Sequence, residues 1–229
     1  MFSHDISHKF TSYFDTQIKF HFVSFHEQEF DHGLFKSLEI AFPYQLKGAV
    51  NKRRAEFIAG RLCAKRCLEK FHLSCQVPIG DSRSPVWPEN LYGSISHTSS
   101  VAGALVISSS NYLGIGLDIE NILLTSLVGQ ISSQLMTPEE AEFCYSYPLA
   151  DNLICTLIFS AKESFFKAAF NQVKSYFNFS AVRVVSIKKE FVRLKVQEDL
   201  CDTLQAGYET DVNWIEVPSI GILSYNILK

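Results

Sequence analysis

From Leu153 to Phe170 nearly every residue is apolar, and no proline or glycine interrupts the run. Such a stretch predicts a helix buried on most of its sides. One stripe departs from the pattern: Thr156, Ser160, Glu163 and Lys167 recur at i, i+4, i+7 and i+11, which stacks them on one helical face. A carboxylate and an ammonium on a buried helix cost free energy unless they are paired, solvated in a cleft or held by a ligand. The stripe therefore reads either as a structural Glu163–Lys167 pair or as part of a site.

Upstream the pattern changes to a period of two. Over 113–120, Leu113, Ile115, Leu117 and Ile119 fall on one face of a predicted strand, and Gly114, Gly116, Asp118 and Glu120 on the other. The second face is bare and then doubly acidic. Glycines there let a ligand or another backbone come close. Further strands are predicted over 18–25, 92–97, 101–107, 182–187, 191–196, 212–217 and 220–227. A helix of good formers is predicted over 49–71. A shorter one opens at Thr137-Pro-Glu-Glu140, with Thr137 as N-cap and Glu140 completing a capping box, and stops near Pro148. Residues 78–90 form a loop punctuated by Gly80, Pro85 and Pro88, which carries Arg83 and is anchored by Trp87. Each half reads strand, helix, strands, which makes the class α+β.

Composition narrows the options. With 229 residues, 47% hydrophobic and 20% charged, the chain is globular and long enough to bury a core. A net charge of −3 argues against a general nucleic-acid binder, so any basic site must be local. Cys63, Cys67, Cys75, Cys144, Cys155 and Cys201 match no zinc spacing and read as buried thiols. His4, His8, His21 and His26 show no metal-ligand spacing and read as surface or edge residues. No signal-peptide pattern opens the sequence, and the longest apolar run is broken by Lys162 and Glu163. No membrane span is expected, and the cytoplasm is the expected location.

The candidate chemistry follows from charge placement. Asp118 and Glu120 share a strand face, and Glu163 comes from the following helix. Three carboxylates without Cys or His suit a hard cation, Mg²⁺ or Mn²⁺ in its place. Magnesium usually leaves positions for water and substrate phosphate, which predicts a phosphate-bearing substrate. Arg53, Arg54, Arg61, Arg83, Lys162 and His97 could neutralise the remaining charge. Arg54, Arg61 and Lys65 also form a cationic stripe on the 49–71 helix. Acids exposed at a strand end and a solvated basic face are the plainer alternatives.

Five segments in order resemble the 4′-phosphopantetheinyl transferase family. Gly114-Ile-Gly-Leu-Asp118-Ile-Glu120 and Phe159-Ser-Ala-Lys162-Glu163-Ser-Phe-Phe-Lys167-Ala are similar to its two signatures, and Gly93-Ser-Ile-Ser96-His97 to its Ser-His strand. Arg53-Arg54-Ala-Glu-Phe-Ile-Ala-Gly-Arg61 and the loop around Arg83 and Trp87 resemble the subgroup that includes enterobactin synthase component D. The resemblance runs from about residue 50 to 170 and leaves both ends weakly constrained.

The resemblance implies an α+β fold of two similar subdomains, 1–110 and 111–229, related by a pseudo-twofold with the active site in the cleft between them. It implies transfer of 4′-phosphopantetheine from coenzyme A to a serine of an apo carrier protein, with release of adenosine 3′,5′-bisphosphate. Peptidyl or aryl carrier domains of siderophore nonribosomal peptide synthesis are the implied acceptors, with acyl carrier protein a further one. Asp118, Glu120 and Glu163 would hold Mg²⁺; Glu163 is also similar to the residue proposed as general base. Lys162, Lys167 and His97 would meet phosphates. Arg53, Arg61 and Arg83, with Arg54 beside them, would hold the 3′-phosphate and nucleotide end, and Ser96 would touch the nucleotide. Ile119 stands where some relatives carry a third acid, so water must fill that ligand position. A fold that closes its own cleft implies a monomer. The apolar residues Leu123, Leu124, Leu127, Val128, Ile131, Leu135 and Met136 form a candidate docking surface for the carrier. Another magnesium-dependent phosphoryl-transfer or phosphodiester enzyme, for example a nuclease, and a coenzyme A-binding module without catalysis are the competing readings.

Overall fold

The computed structural model describes residues 2–80 and 82–229. The chain forms two compact units, Met1–Asn111 and Tyr112–Lys229. Each is an antiparallel sheet with helices packed on it, an α+β arrangement.

In the first unit, strands β1 (Ser3–Asp5), β2 (Lys19–Phe25), β3 (Leu91–His97) and β4 (Val101–Ser108) form one sheet in the order β1-β2-β4-β3. A short helix α1 (Leu34–Ser37) precedes the long α2 (Asn51–Glu69). Ala55, Ile58, Ala59 and Cys63 of α2 share one buried cluster with Val23 and Phe25 of β2 and Ala102 and Ala104 of β4. Phe22, between Val23 and His21, points the other way and stacks on Phe10 with centroids 4.2 Å apart. The aromatic payload of β2 thus covers both faces of its sheet. Trp87 does anchor its loop. A Cβ on Gly93 would come within 2.5 Å of the Trp87 ring, so only glycine lets the indole lie on β3.

In the second unit, β5 (Gly114–Glu120), β6 (Val182–Ile187), β7 (Phe191–Val196), β8 (Glu209–Val217) and β9 (Gly221–Leu228) form a sheet in the order β5-β9-β8-β7-β6. Between β5 and β6 come α3 (Val128–Leu135), α4 (Pro138–Tyr145) and α5 (Asp151–Val173). The glycines of β5 serve the second of the two purposes expected of them, the approach of another backbone. A Cβ on Gly116 would meet the Ser164 carbonyl oxygen at 1.8 Å, and one on Gly114 the Ala168 oxygen at 2.0 Å. Helix α5 therefore lies directly on the backbone of β5, which brings the acidic end of β5 beside the Glu163–Lys167 turn.

The polar stripe of α5 is partly structural. Thr156 Oγ1 accepts from Leu123 N at 3.0 Å. Ser160 Oγ lies 2.7 Å from Ser224 Oγ of β9, fully buried. Those two hydroxyls satisfy each other in a core that would penalise either alone. The capping box is half formed. Thr137 Oγ1 accepts from Glu140 N at 3.2 Å. The Glu140 side chain does not return to the cap. It is buried, its Oε1 accepts from Val184 N at 2.7 Å, and Lys162 Nζ lies 2.9 Å and 3.1 Å from its two oxygens. Among the described residues, no helix is long and apolar enough to cross a membrane. The six cysteines are free thiols; Cys63, Cys67, Cys144 and Cys155 are buried as expected, but Cys75 is exposed and Cys201 half-buried, because both lie in loops.

Candidate active site

The first unit carries a cationic pocket of about 580 Å³ against α2 and β3. Arg53, Arg61, Arg83 and His97 line it, so four of the expected residues meet in one place. Arg61 enters from the second turn of α2 beyond Arg53. Its guanidinium lies 4.7 Å from the Phe57 ring centroid, and its Nε is buried without a hydrogen-bond partner. Burial and, secondarily, the charge of Arg53 pull its pKa down to about 10. A buried guanidinium gains most from an anionic partner. Arg83 reaches the pocket from the 79–85 loop, which closes through Gly80 N to Ser84 O at 2.8 Å and Arg83 N to Gly80 O at 3.0 Å. Arg83 holds φ of 61° there, a left-handed conformation uncommon for arginine. Asp81 of that loop lies outside the described residues.

Two cations of the α2 stripe point elsewhere. Arg54 donates to Leu46 O at 3.3 Å and to Lys47 O at 2.9 Å, tying the helix to the preceding turn. Lys65 pairs with Glu39 at 2.8 Å and donates to Leu38 O at 3.0 Å. The stripe is correct as helical geometry, but local backbone carbonyls and Glu39 capture these two. Ser96 is buried in β3 and does not line the pocket. Sequence reasoning overlooked Glu56, which lines the pocket beside Arg53 and His97. Its place three residues after Arg53 on the same helix was the available signal.

The second unit carries the acids. Asp118 is buried, and Glu120 and Glu163 are half-buried. Lys167 Nζ lies 2.6 Å from Asp118 Oδ1. Lys167 of α5 is therefore paired with β5, where the stripe alone suggested Glu163. Burial, followed by the neighbouring Asp118 charge, pushes Glu120 up to about 7, with Glu163 adding to the rise. Burial also raises Glu163, and Asp118 adds to that while Lys167 opposes it. Glu120 and Glu163 thus both lie in the field of Asp118, which adds to their proton affinity. Among the described residues, no group of three or more His, Cys, Asp or Glu side chains is gathered closely enough to hold a metal ion. The donor chemistry still suits a hard divalent cation, since all oxygens are carboxylate and the Asp118 charge raises the proton affinity of both Glu120 and Glu163. Ile119 is buried on the opposite face and cannot contribute.

Beside Glu163 is a recess of about 260 Å³ walled by Phe166, Tyr176, Phe177 and Phe179. Phe166 stacks on Tyr176 at 5.5 Å between centroids. Lys162 borders this recess, but its ammonium is turned into the core. Nζ is 2.8 Å from Leu135 O, 2.9 Å from Glu140 Oε1 and 3.3 Å from Phe179 O, and the residue is 1% exposed. The phosphate contact expected of Lys162 would require it to leave all three partners. The apolar surface expected over 123–136 is also smaller than its sequence suggested: Leu135 and Met136 are core, whereas Leu124 and Leu127 are exposed.

Each unit matches its own family description. Residues 42–107 match the 4′-phosphopantetheinyl transferase N-terminal domain, and residues 114–213 match the 4′-phosphopantetheinyl transferase superfamily. Enterobactin synthase component D of Escherichia coli K12 is 34% identical over 188 residues, covering 81% of this chain and 88% of the relative. The chain belongs to the 4′-phosphopantetheinyl transferase superfamily. Enterobactin synthase component D of Salmonella typhi is 33% identical over 177 residues, covering 77% of this chain and 72% of that one. The 4′-phosphopantetheinyl transferase PptT of Mycobacterium tuberculosis is 31% identical over 140 residues, covering 59% of this chain and 60% of its own. As a 4′-phosphopantetheinyl transferase, the protein divides its charged groups between its two matched regions: the cationic pocket falls within 42–107 and the carboxylates within 114–213.

Proposed function

We propose that this transferase moves the 4′-phosphopantetheine group of coenzyme A to a serine hydroxyl of an apo carrier protein and releases adenosine 3′,5′-bisphosphate. Kinship with proteins named enterobactin synthase component D favours carrier domains of siderophore nonribosomal peptide synthesis as acceptors. The observation that carries the reading is the pairing, within one chain, of a pocket built from Arg53, Arg61, Arg83 and His97 with the acid cluster of Asp118, Glu120 and Glu163. Coenzyme A presents anionic charge at both its nucleotide end and its pyrophosphate, and each half of the inventory suits one of them.

In this reading the charged groups of the two units serve different parts of the substrate. Arg53, Arg61 and Arg83 hold the 3′-phosphate and nucleotide end, with His97 on a phosphate oxygen. Asp118, Glu120 and Glu163 would hold Mg²⁺, or Mn²⁺ in its place, which when bound supplies charge stabilisation at the pyrophosphate. Glu163 takes the serine proton, directly or through water. Burial raises its proton affinity, which suits a proton acceptor. The serine oxygen bonds to the phosphorus bearing the pantetheine arm as that phosphorus releases its bridging oxygen to the departing bisphosphate. Lys167, held on Asp118, would stabilise the charge that develops there. The aromatic recess beside Glu163 offers an apolar wall for the pantetheine arm. Leu124 and Leu127 are the exposed part of a carrier-docking surface.

Chromatographic detection of adenosine 3′,5′-bisphosphate tests the reading, with coenzyme A, Mg²⁺ and an apo peptidyl carrier domain present. Release equal to the carrier added is expected. Coenzyme A binding with no release would favour a non-catalytic binding module, and cleavage of plasmid DNA would favour a nuclease.

A further inference from the structure

The pocket of Arg53, Arg61, Arg83 and His97 contains a carboxylate that its proposed ligand should repel. Glu56 is the acid among the described residues lining it, and its side chain is 12% exposed. Glu56 Oε2 lies 3.5 Å from Arg53 Nη1 and 4.0 Å from His97 Nδ1. Arg53 Nη1 in turn lies 3.0 Å from His97 Nε2. A guanidinium only donates, so Nε2 accepts and the neutral imidazole carries its proton on Nδ1, the nitrogen facing Glu56. The three side chains form a closed set drawn from α2 and β3.

We propose that Glu56 is a positioning residue for the anion pocket, setting the tautomer and orientation of His97 and the fork of Arg53 before the substrate arrives. The proposal rests on the reading that this pocket takes the nucleotide end of coenzyme A. Without a carboxylate between them, Arg53 and a protonated His97 would repel at 3.0 Å. With it, Arg53 can turn from Nε2 to a phosphate, and Nε2 can then take a proton and donate to the same anion while Nδ1–H stays directed at Glu56. The local benefit of a prearranged pair of donors outweighs the long-range repulsion, because the carboxylate is already neutralised by the groups it orients.

The two effects have opposite signs, which makes the proposal testable by coenzyme A binding to the full chain, measured calorimetrically for wild type, Glu56→Gln, His97→Ala and the double variant. The isosteric Glu56→Gln removes charge and leaves packing intact. The expected result is a five- to tenfold weaker Kd for Glu56→Gln, and a double variant no weaker than His97→Ala alone within about twofold, since residues acting as one unit are not additive. Equal or tighter binding by Glu56→Gln, or fully additive losses, would overturn the positioning role while leaving the pocket's assignment intact. Failure of the wild type to bind coenzyme A would instead remove the reading on which the proposal stands, and the proposal with it.

Discussion

Lys167 Nζ of α5 lies 2.6 Å from Asp118 Oδ1 of β5. Asp118 is buried and Lys167 is about a quarter exposed. The contact exists because Gly114 and Gly116 let the helix rest on the strand backbone. Lys167→Ala would remove the ammonium from a buried carboxylate. Because the lysine is partly solvated, the expected cost is about 2–3 kcal/mol, below the 3–5 of a fully buried pair. Chemical denaturation measures it, and adding Asp118→Asn should recover most of the loss without restoring transfer.

The close packing makes its own prediction. Gly116→Ala places a methyl 1.8 Å from a helix carbonyl that cannot yield without moving α5. Destabilisation of about 3 kcal/mol or more is expected. A variant with the wild-type denaturation midpoint would mean that α5 does not lie where the structure puts it.

Lys162 and Glu140 form a second, fully buried pair that joins α5 to α4, while Glu140 also holds Val184 N of β6. Lys162→Ala should cost about 3–5 kcal/mol, as breaking a buried pair does. Lys162→Met with Glu140→Gln removes both charges and keeps an acceptor for Val184 N, and should regain most of that stability. If the double variant also regains transfer, Lys162 acts through the fold; if it is stable but inactive, the phosphate contact implied by the family resemblance is real.

Glu120 and Glu163 give the metal-free protein a distinct pH response. Both carboxyls bind protons more tightly folded than unfolded, Glu120 with its pKa at about 7. Between about pH 4.5 and 7 the folded state therefore holds more protons than the unfolded at Glu120, which contributes stability that is present at the acid side and lost as pH rises through 7; Glu163 acts in the same direction. In EDTA, Glu120→Gln should raise the melting midpoint at pH 7.5 and leave it nearly unchanged at pH 5. An equal effect at both pH values would contradict the shared field. Added Mg²⁺ should stabilise the wild type at pH 7.5 and not this variant.

The sequence made some of this legible and hid the rest for physical reasons. The period of two in β5 and the long apolar run of α5 survive in the structure because each is written in its own segment: one face of β5 is bulky and apolar, the other bare enough to take the backbone of α5, and α5 is buried along most of its length. Thr137 and Pro138 were readable as a helix start for the same local reason. The fate of Glu140 was not, because its partners Lys162 and Val184 are distant in sequence. Arg54 and Lys65 share a helical stripe with Arg61, yet only Arg61 lines the pocket; Leu46, Lys47 and Glu39, which divert the other two, are set by the path of the preceding loop. Strand β1, helix α1 and helix α3 were missed, being three, four and eight residues long and therefore too short for periodicity to declare. The five segments that resemble the transferase family supplied what spacing could not, the link between acids and cations far apart in the chain.

The most direct measurement is the intact mass of an apo peptidyl carrier domain after incubation with this protein, coenzyme A and Mg²⁺, beside a Glu163→Ala variant. The account predicts a gain of one phosphopantetheine on the carrier, slowed about 10²–10⁴-fold or more in the variant and abolished by EDTA. An unchanged carrier mass with wild-type protein, or equal transfer by Glu163→Ala, would contradict it.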